Sequence, residues 1–284
     1  MISPKNFVKE FNKNGFVLIK NFYHKPEIQK SLKIFKKKIK NIEKRSTWIE
    51  KEPGNELSVY SLKQNDDYLN KFAASERLLK HAKLLVKKDL FVSYAKCNLK
   101  QPWSGTVEYF HQDAIYTKPR CKNINEMVMA MVMMEYHTDE NACLQLFAGS
   151  HKLGLLDHEL FININGLSKF TISAEKLTNV EKKYKIKKII AKPGDVLFFH
   201  PLVIHGSNHN LSKKGRMIIL TQLNAYGNEL SSVRKNIIKY NIKRSKFEFD
   251  NASSRLKWFK EKYYNQKKSK IVEFTKPNIN KKKN

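Results

Sequence analysis

Hydrophobic positions in this chain change their spacing near residue 90. Before that point the pattern is mainly helical. Ser3, Pro4 and Gly15 bracket a predicted helix over residues 3–13, with a serine to cap it, a proline suited to its first turn and a glycine after its end. "FVLIKNF" (16–22) has the apolar density of a strand. After Pro26, the residues Ile28, Leu32, Phe35 and Ile39 recur at helical intervals. "SERLLKHAKLLVKKD" (75–89) predicts a further amphipathic helix with Ser75 placed to cap it. Residues 46–74 mix both patterns and predict no definite element.

From about residue 90 the apolar residues gather in short β-prone runs. These are "LFVSYAKCNL", "TVEYFHQD", "EMVMAMVMMEYH", "ACLQLFAG", "KIKKIIAKPGDVLFFHPLVIHG" and "GRMIILTQLNAYG". The turn-formers "GS", "PGD" and "KKG" separate several of them. Short strands with no regular helix between them favour an antiparallel sandwich or barrel over a parallel α/β sheet. Residues 228–265 return to a helical pattern. The expected organisation is one mainly β domain over residues 1–265: N-terminal helices in 1–89, a β core in 90–227 and C-terminal helices in 228–265. Residues 266–284 form a basic tail. The methionine-rich run at 127–135 reads as a central strand buried on both faces.

Composition narrows the setting. A 41% hydrophobic content over 284 residues is enough for a core. Cys97, Cys121 and Cys143 are an odd, scattered set, which argues against a disulfide framework and for a reducing compartment. The N-terminus has no apolar signal-peptide core, and no run approaches the roughly 18 apolar residues of a membrane span. A cytoplasmic location is expected. The formal net charge of +29 could attract nucleic acid or anionic metabolites. Only seven of the 55 basic residues are arginine, however, the residue that reads guanine and clamps phosphate. No specific nucleic-acid partner is expected, and a nucleic-acid-binding protein is the weaker reading. A small-molecule substrate is expected, with the basic surface favouring an anionic one.

Candidate chemistry starts at "FHQD". On a continuous strand His111 and Asp113 share a face while Gln112 points away. An imidazole and a carboxylate are half a metal site, so a third ligand is needed from a neighbouring strand. His205, ending the apolar run after "PGDVLFF", is the leading candidate. His200 competes, but its odd separation from His205 places it on the opposite face of a continuous strand. Two histidines and one carboxylate form the facial triad of non-haem Fe(II) oxygenases; a zinc site of similar make-up would leave one position for water. Arg216 follows His205 by eleven residues across a polar loop, so a hairpin would return it to the same cavity. A guanidinium grips a carboxylate through two parallel hydrogen bonds, which suits a dicarboxylate chelating the metal at its other end.

These segments together resemble the phytanoyl-CoA dioxygenase family of Fe(II)/2-oxoglutarate oxygenases. "FHQDAIY", "ACLQLFAGSHKLG", "PGDVLFFHPLVIHGSNHNLSKKGRMIIL" and the early "NKNGFVLIKNF" carry the likeness, over about residues 11–30 and 90–225. The resemblance implies a double-stranded β-helix (jelly-roll) core. It implies Fe(II) held by His111, Asp113 and His205, with 2-oxoglutarate and O2 as co-substrates. Arg216 and Ser207 would meet the distal carboxylate, and Asn98, Lys100 and Met131 would be further co-substrate contacts. Trp103, Phe110, Tyr116 and Lys118 flank the metal motif as candidate pocket residues. The implied reaction hydroxylates a C–H bond of a small or lipid-like metabolite and releases succinate and CO2. Related halogenases have alanine or glycine where this chain has Asp113, which favours hydroxylation. A catalytically silent jelly-roll binding protein is the alternative. Two positions depart from the family: Ala142 replaces its usual glycine, and Ala148 its usual proline. His151 is expected to be structural, and His137, His158 and His209 to be solvated loop residues.

Overall fold

The computed structural model describes residues 2–40, 48–52, 55–60, 67–103, 107–118, 121–162 and 168–230. Most of the expected C-terminal helical region (228–265) and the basic tail lie outside the described residues. In chain order the elements are α1 (Pro4–Asn14), β1 (Phe16–Ile19), α2 (Lys25–Lys40), β2 (Trp48–Glu52), β3 (Asn55–Tyr60), α3 (Asp67–Ala73), α4 (Glu76–Val86), β4 (Leu90–Lys100), β5 (Glu108–His111), α5 (Ala114–Thr117), β6 (Met127–Met133), β7 (Gln145–Phe147), β8 (Glu159–Ile162), β9 (Ser168–Thr171), α6 (Ala174–Lys183), β10 (Ile186–Lys188), β11 (Val196–Phe199), β12 (His205–Ser207) and β13 (Arg216–Ala225).

Among the described residues the strands form two main antiparallel sheets and one hairpin. A seven-stranded sheet runs β1-β11-β6-β13-β4-β3-β2, and a four-stranded sheet runs β10-β7-β12-β5. The β8-β9 hairpin forms a separate two-stranded sheet. Three strands of the large sheet thus come from the first sixty residues, which the sequence pattern assigned mainly to helices. One of them, β1, adds to β11 with Phe16 opposite Phe199. The other two lie in the mixed 46–74 stretch. Helix α6 interrupts the β region, where no regular helix was expected.

Alternation along the central strands sorts the core into two layers. Val128, Ala130, Val132, Phe198, Met217 and Ile219 face a cluster built with Phe7 and Phe11 of α1, Ile28 and Phe35 of α2, and Leu78 of α4. Met129, Met131, Met133, Leu197, Phe199, Ile218 and Leu220 face the other sheet and meet Leu144 and Leu146 there. Strand β6 is therefore buried on both sides, as its unbroken apolar run predicts. Each such valine, leucine, isoleucine, phenylalanine or methionine contributes about 1.5–3 kcal/mol by leaving water.

The termini of α1 follow their local chemistry. Ser3 accepts from the Asn6 amide, and Gly15 closes the helix at φ 78°. A β-carbon on Gly15 would also collide with Val203 and His151, so the helix exit is fitted against the loop leading to β12. The "PGD" turn is fixed by buried Asp195, whose carboxylate accepts from Lys20 Nζ (3.0 Å) and the amides of Asn21 and Lys192 (both 2.9 Å). That turn aims β11 between β1 and β6.

Candidate metal centre

Strands β5 and β12 are neighbours, and His111 lies directly opposite His205. Their rings sit 4.4 Å apart, centroid to centroid. The Asp113 carboxylate completes the group: its Oδ1 lies 3.6 Å from His111 Nε2 and 3.8 Å from His205 Nε2. One ligand atom from each residue falls within 4.8 Å of the others. Both distances are too long for hydrogen bonds, so the three groups surround a common point without bonding one another.

The route by which Asp113 arrives corrects the sequence argument. Strand β5 ends at His111, and Asp113 has helical backbone angles at the start of α5. Convergence comes from a strand-to-helix turn, and strand alternation plays no part in it.

The donors are prepared for a cation. His111 Nδ1 lies 2.7 Å from the Tyr109 carbonyl, and His205 Nδ1 lies 2.9 Å from the Val203 carbonyl. A carbonyl only accepts, so each Nδ1 carries the proton and each Nε2 presents its lone pair to the centre. Asp113 Oδ2 is buried with no hydrogen-bond partner, an orphaned oxygen of the kind a metal satisfies. The residues fit a divalent ion. Burial and then His111 drive the His205 pKa down to about 4, which keeps its Nε2 lone pair free. Burial also opposes charge on His111, but Asp113 and Glu108 outweigh it and raise its pKa. Burial works against the Asp113 carboxylate too, yet His205 and His111 hold its pKa well below the usual range.

Between His111 and Asp113, Gln112 is fully buried with both its side-chain nitrogen and its side-chain oxygen hydrogen-bonded. Its Nε2 donates to the Gly154 and Leu202 carbonyls (both 2.7 Å), and its Oε1 accepts from the Leu156 amide (2.8 Å). Its own amide donates to His158 Nε2 (3.0 Å). The pattern places Gln112 pointing away from the metal, and it does so while clamping β5 to two loops. His158 and His137 are buried, against the expectation of solvated loops. Burial drives the His158 pKa down to about 4, so it stays a neutral acceptor for Gln112. Only its partner in space reveals this role. His200 bonds the Leu202 amide and Asn125 and packs beside Phe11, away from the triad.

The large sheet supplies the opposite wall. Arg216 pairs with Lys100, Ile218 with Asn98, and Leu220 with Lys96. Ile218 and Leu220 belong to the inter-sheet layer, so Arg216, Lys100, Asn98 and Lys96 share that inner face. Arg216 is only 6% exposed, its Nε donates to the Asn141 carbonyl (3.2 Å), and burial lowers its pKa to about 10. Among the described residues it has no carboxylate partner. Lys100 is also buried and donates to Ser207 Oγ (3.0 Å) and the Asn208 carbonyl. Ser207 therefore faces inward with His205, and Asn98 Oδ1 is a second orphaned buried oxygen. Met131 lies on the same rung as Leu220. Two buried cations side by side fit the distal carboxylate of a keto-diacid.

The four candidate pocket residues divide. Tyr116 stands edge-on to His111 with ring centroids 6.3 Å apart, its hydroxyl accepting from the Phe170 amide. Phe110 turns to the far side of the small sheet, against Phe147 and under α6, and is not part of the inner face. Trp103 is 61% exposed at a turn, and Lys118 is exposed beyond α5. Sequence proximity to the ligands misplaced these three. Glu108 and Lys96 were missed. Glu108 pairs with inward-facing Ser207 across a β-bulge, and its ion pair with Lys169 (3.1 Å) lies beside the centre.

Comparison with known proteins agrees with this geometry. The family described as Phytanoyl-CoA dioxygenase (PhyH) matches residues 11–218, a span that contains His111, Asp113, His205 and Arg216. The chain is 25% identical over 272 residues to the peroxisomal phytanoyl-CoA dioxygenase of Bos taurus, covering 88% of this chain and 79% of that protein. It is 28% identical over 225 residues to the Homo sapiens protein of the same name, covering 74% of this chain and 65% of that one. An ectoine dioxygenase of Sphingopyxis alaskensis is 23% identical over 193 residues, covering 65% of this chain and 63% of that protein. The solved structure of EctD from S. alaskensis with 2-oxoglutarate and 5-hydroxyectoine superposes with a TM-score of 0.65 at 20% identity, over 81% of this chain and 78% of that one. That likeness shows the shared jelly-roll core. With the His-Asp-His group inside the matched span, the chain belongs to the phytanoyl-CoA dioxygenase (PhyH) family of Fe(II)- and 2-oxoglutarate-dependent dioxygenases.

Proposed function

We propose that this protein hydroxylates a C–H bond of a small molecule while 2-oxoglutarate is converted to succinate and CO2. The observation that carries the reading is the triad of His111, Asp113 and His205, with two lone pairs and one orphaned oxygen aimed at a single point. Fe(II), when bound, supplies O2 activation, one oxygen atom going to succinate and the other to the substrate C–H. The chain's own residues hold and orient. Two backbone carbonyls fix the imidazole tautomers, Gln112 fixes the spacing of the ligands, and Arg216 with Lys100 and Ser207 receives the distal carboxylate. Met131, Leu220 and Leu146 give the space between the sheets an apolar lining that excludes water. Three protein ligands leave positions open for the keto-diacid and O2. Small molecules named in the relatives, phytanoyl-CoA and ectoine among them, support a small-molecule substrate. So does the inward placement of the site.

The test is direct. The anaerobic protein given Fe(II) and 2-oxoglutarate should develop a weak visible charge-transfer band, and in air should release succinate. His205→Ala should lose both. No band and no succinate from the unaltered chain would leave a silent binding protein as the better reading.

A further inference from the structure

Lys96 belongs neither to the His-Asp-His group nor to the Arg216–Lys100 pair. It lies on the inner face of β4, on one rung with Leu220 and Met131. Arg216 and Lys100 occupy the rung at the end of that face, with Asn98 between. Lys96 is half-buried, and it makes no hydrogen bond or ion pair with any described residue. Leu220 and Met131 of that rung pack with Leu146, which pairs with His205, so Lys96 looks across the inter-sheet space toward the ligands. A lysine in such a place loses hydration without a fixed partner, which costs stability unless an anion arrives.

The charges around the centre point the same way. Among the described residues, Lys96, Lys100, Lys169 and Arg216 face Asp113 and Glu108. The dipositive ion would take its two negative charges from Asp113 and from the chelating carboxylate of the keto-diacid. Glu108 answers Lys169 through their ion pair, and Asp113 belongs to the metal. Lys100 and Arg216 serve the distal carboxylate at their end of the sheet. Lys96 is the cation left over, two rungs from that pair and close to the metal ligands.

We infer that the substrate carries an anionic group, a carboxylate or a phosphate, and that Lys96 binds it across the inter-sheet space from Asp113. The inference rests on the hydroxylase reading and narrows its substrate class. It also makes Lys96 a specificity-determining residue: the reactive C–H would lie between this anchor and the ion, so the spacing of anion and C–H in the substrate is set by β4.

The experiment uses the anaerobic full-length protein loaded with Fe(II) and 2-oxoglutarate. Its visible band is followed while butanoate, methyl phosphate or neutral butyramide is added. A saturable change is expected with at least one anion and none with butyramide, and the stronger anion tells carboxylate from phosphate. Lys96→Met should weaken that anion by about tenfold or more, the scale of one charge-assisted hydrogen bond, while Lys96→Arg stays within about threefold. Lys96→Glu should lose the anion and respond to butylammonium. The inference is overturned if no anion saturates in the unaltered protein, if butyramide acts equally, or if Lys96→Met retains the anion. It also falls if Lys96→Met weakens 2-oxoglutarate as much as the anion, which would place Lys96 in the co-substrate site. Absence of the band itself would instead count against the hydroxylase reading.

Discussion

Along β4, Ala95, Cys97 and Leu99 face the helices, while Lys96, Asn98 and Lys100 face the other sheet. One strand thus carries two vocabularies. The helix side is aliphatic and aromatic and has no ligand to hold. The inner side holds charge and amide groups beside Met131, Ile218 and Leu220. Burying lysine and arginine costs stability that the helix side must offset, and that cost keeps the inner groups dry and preorganised for anions. The two faces should therefore respond differently to substitution.

The largest effect is expected at the centre. His111→Ala or His205→Ala should lower activity more than about a thousandfold, since two remaining ligands, only one of them an imidazole, rarely hold a divalent ion. The melting temperature of the metal-free protein should stay close to the parent's, measured by calorimetry. A large loss of apoprotein stability would mean the triad is structural. On the helix side Phe198, buried against Phe7 and Phe22, gives the opposite signature. Phe198→Ala should cost about 3–5 kcal/mol in urea unfolding. The 2-oxoglutarate affinity of the folded fraction should remain unchanged.

Next in size is Arg216→Lys. It keeps the charge but loses the planar fork, and should weaken 2-oxoglutarate by about tenfold to a hundredfold with little change in metal affinity. Equal losses of both would remove Arg216 from its assigned place.

Acid should act through buried histidines outside the centre. His158 and His200 have pKa values lowered by burial to about 4, well below an unfolded value of about 6.5. The folded chain therefore binds fewer protons than the unfolded one between those values. Stability should fall as pH drops through that window, by about 1.4 kcal/mol per group per pH unit. Urea midpoints between pH 7 and 5 check this, and a chain with both residues changed to glutamine should show a flatter slope.

The smallest effect tests a backbone detail. Ala142 sits at φ 62°, in the left-handed region, where the family usually has glycine. Ala142→Gly should raise stability by about 1 kcal/mol. No gain would mean that the surrounding loop already absorbs the strain.

The triad was legible because rare residue types fell at telling intervals. His111 and Asp113 lie two apart, His205 closes an apolar run, and Arg216 is conspicuous among 48 lysines. Helix α1 was legible from local capping chemistry alone. The addition of β1, β2 and β3 to the large sheet was not, because each pairs with residues far along the chain or lies in a mixed pattern. Burial of His137 and His158 was hidden for the same reason: polar loops look solvated until their hydrogen bonds are known. Phe110 was misassigned because residues next to a ligand on a strand point away from it. Lys96 was passed over because one lysine among so many carries no signal until the register shows where it faces.

The pairing of His111 with His205 makes loop length between strands unequal in importance. The turn from Phe199 to His205 must return the chain with one imidazole in step with its neighbour. Inserting a single residue there would rotate position 205 out of the chamber and leave the ion a bidentate cradle. The stretch between Ser207 and Arg216 crosses from one sheet to the other, pinned by buried Asn210, which donates to the Gln101 and Lys214 carbonyls, and open to solvent at Leu211 and Lys213. Size variation among descendants of this gene should therefore accumulate after the second imidazole and be nearly absent before it.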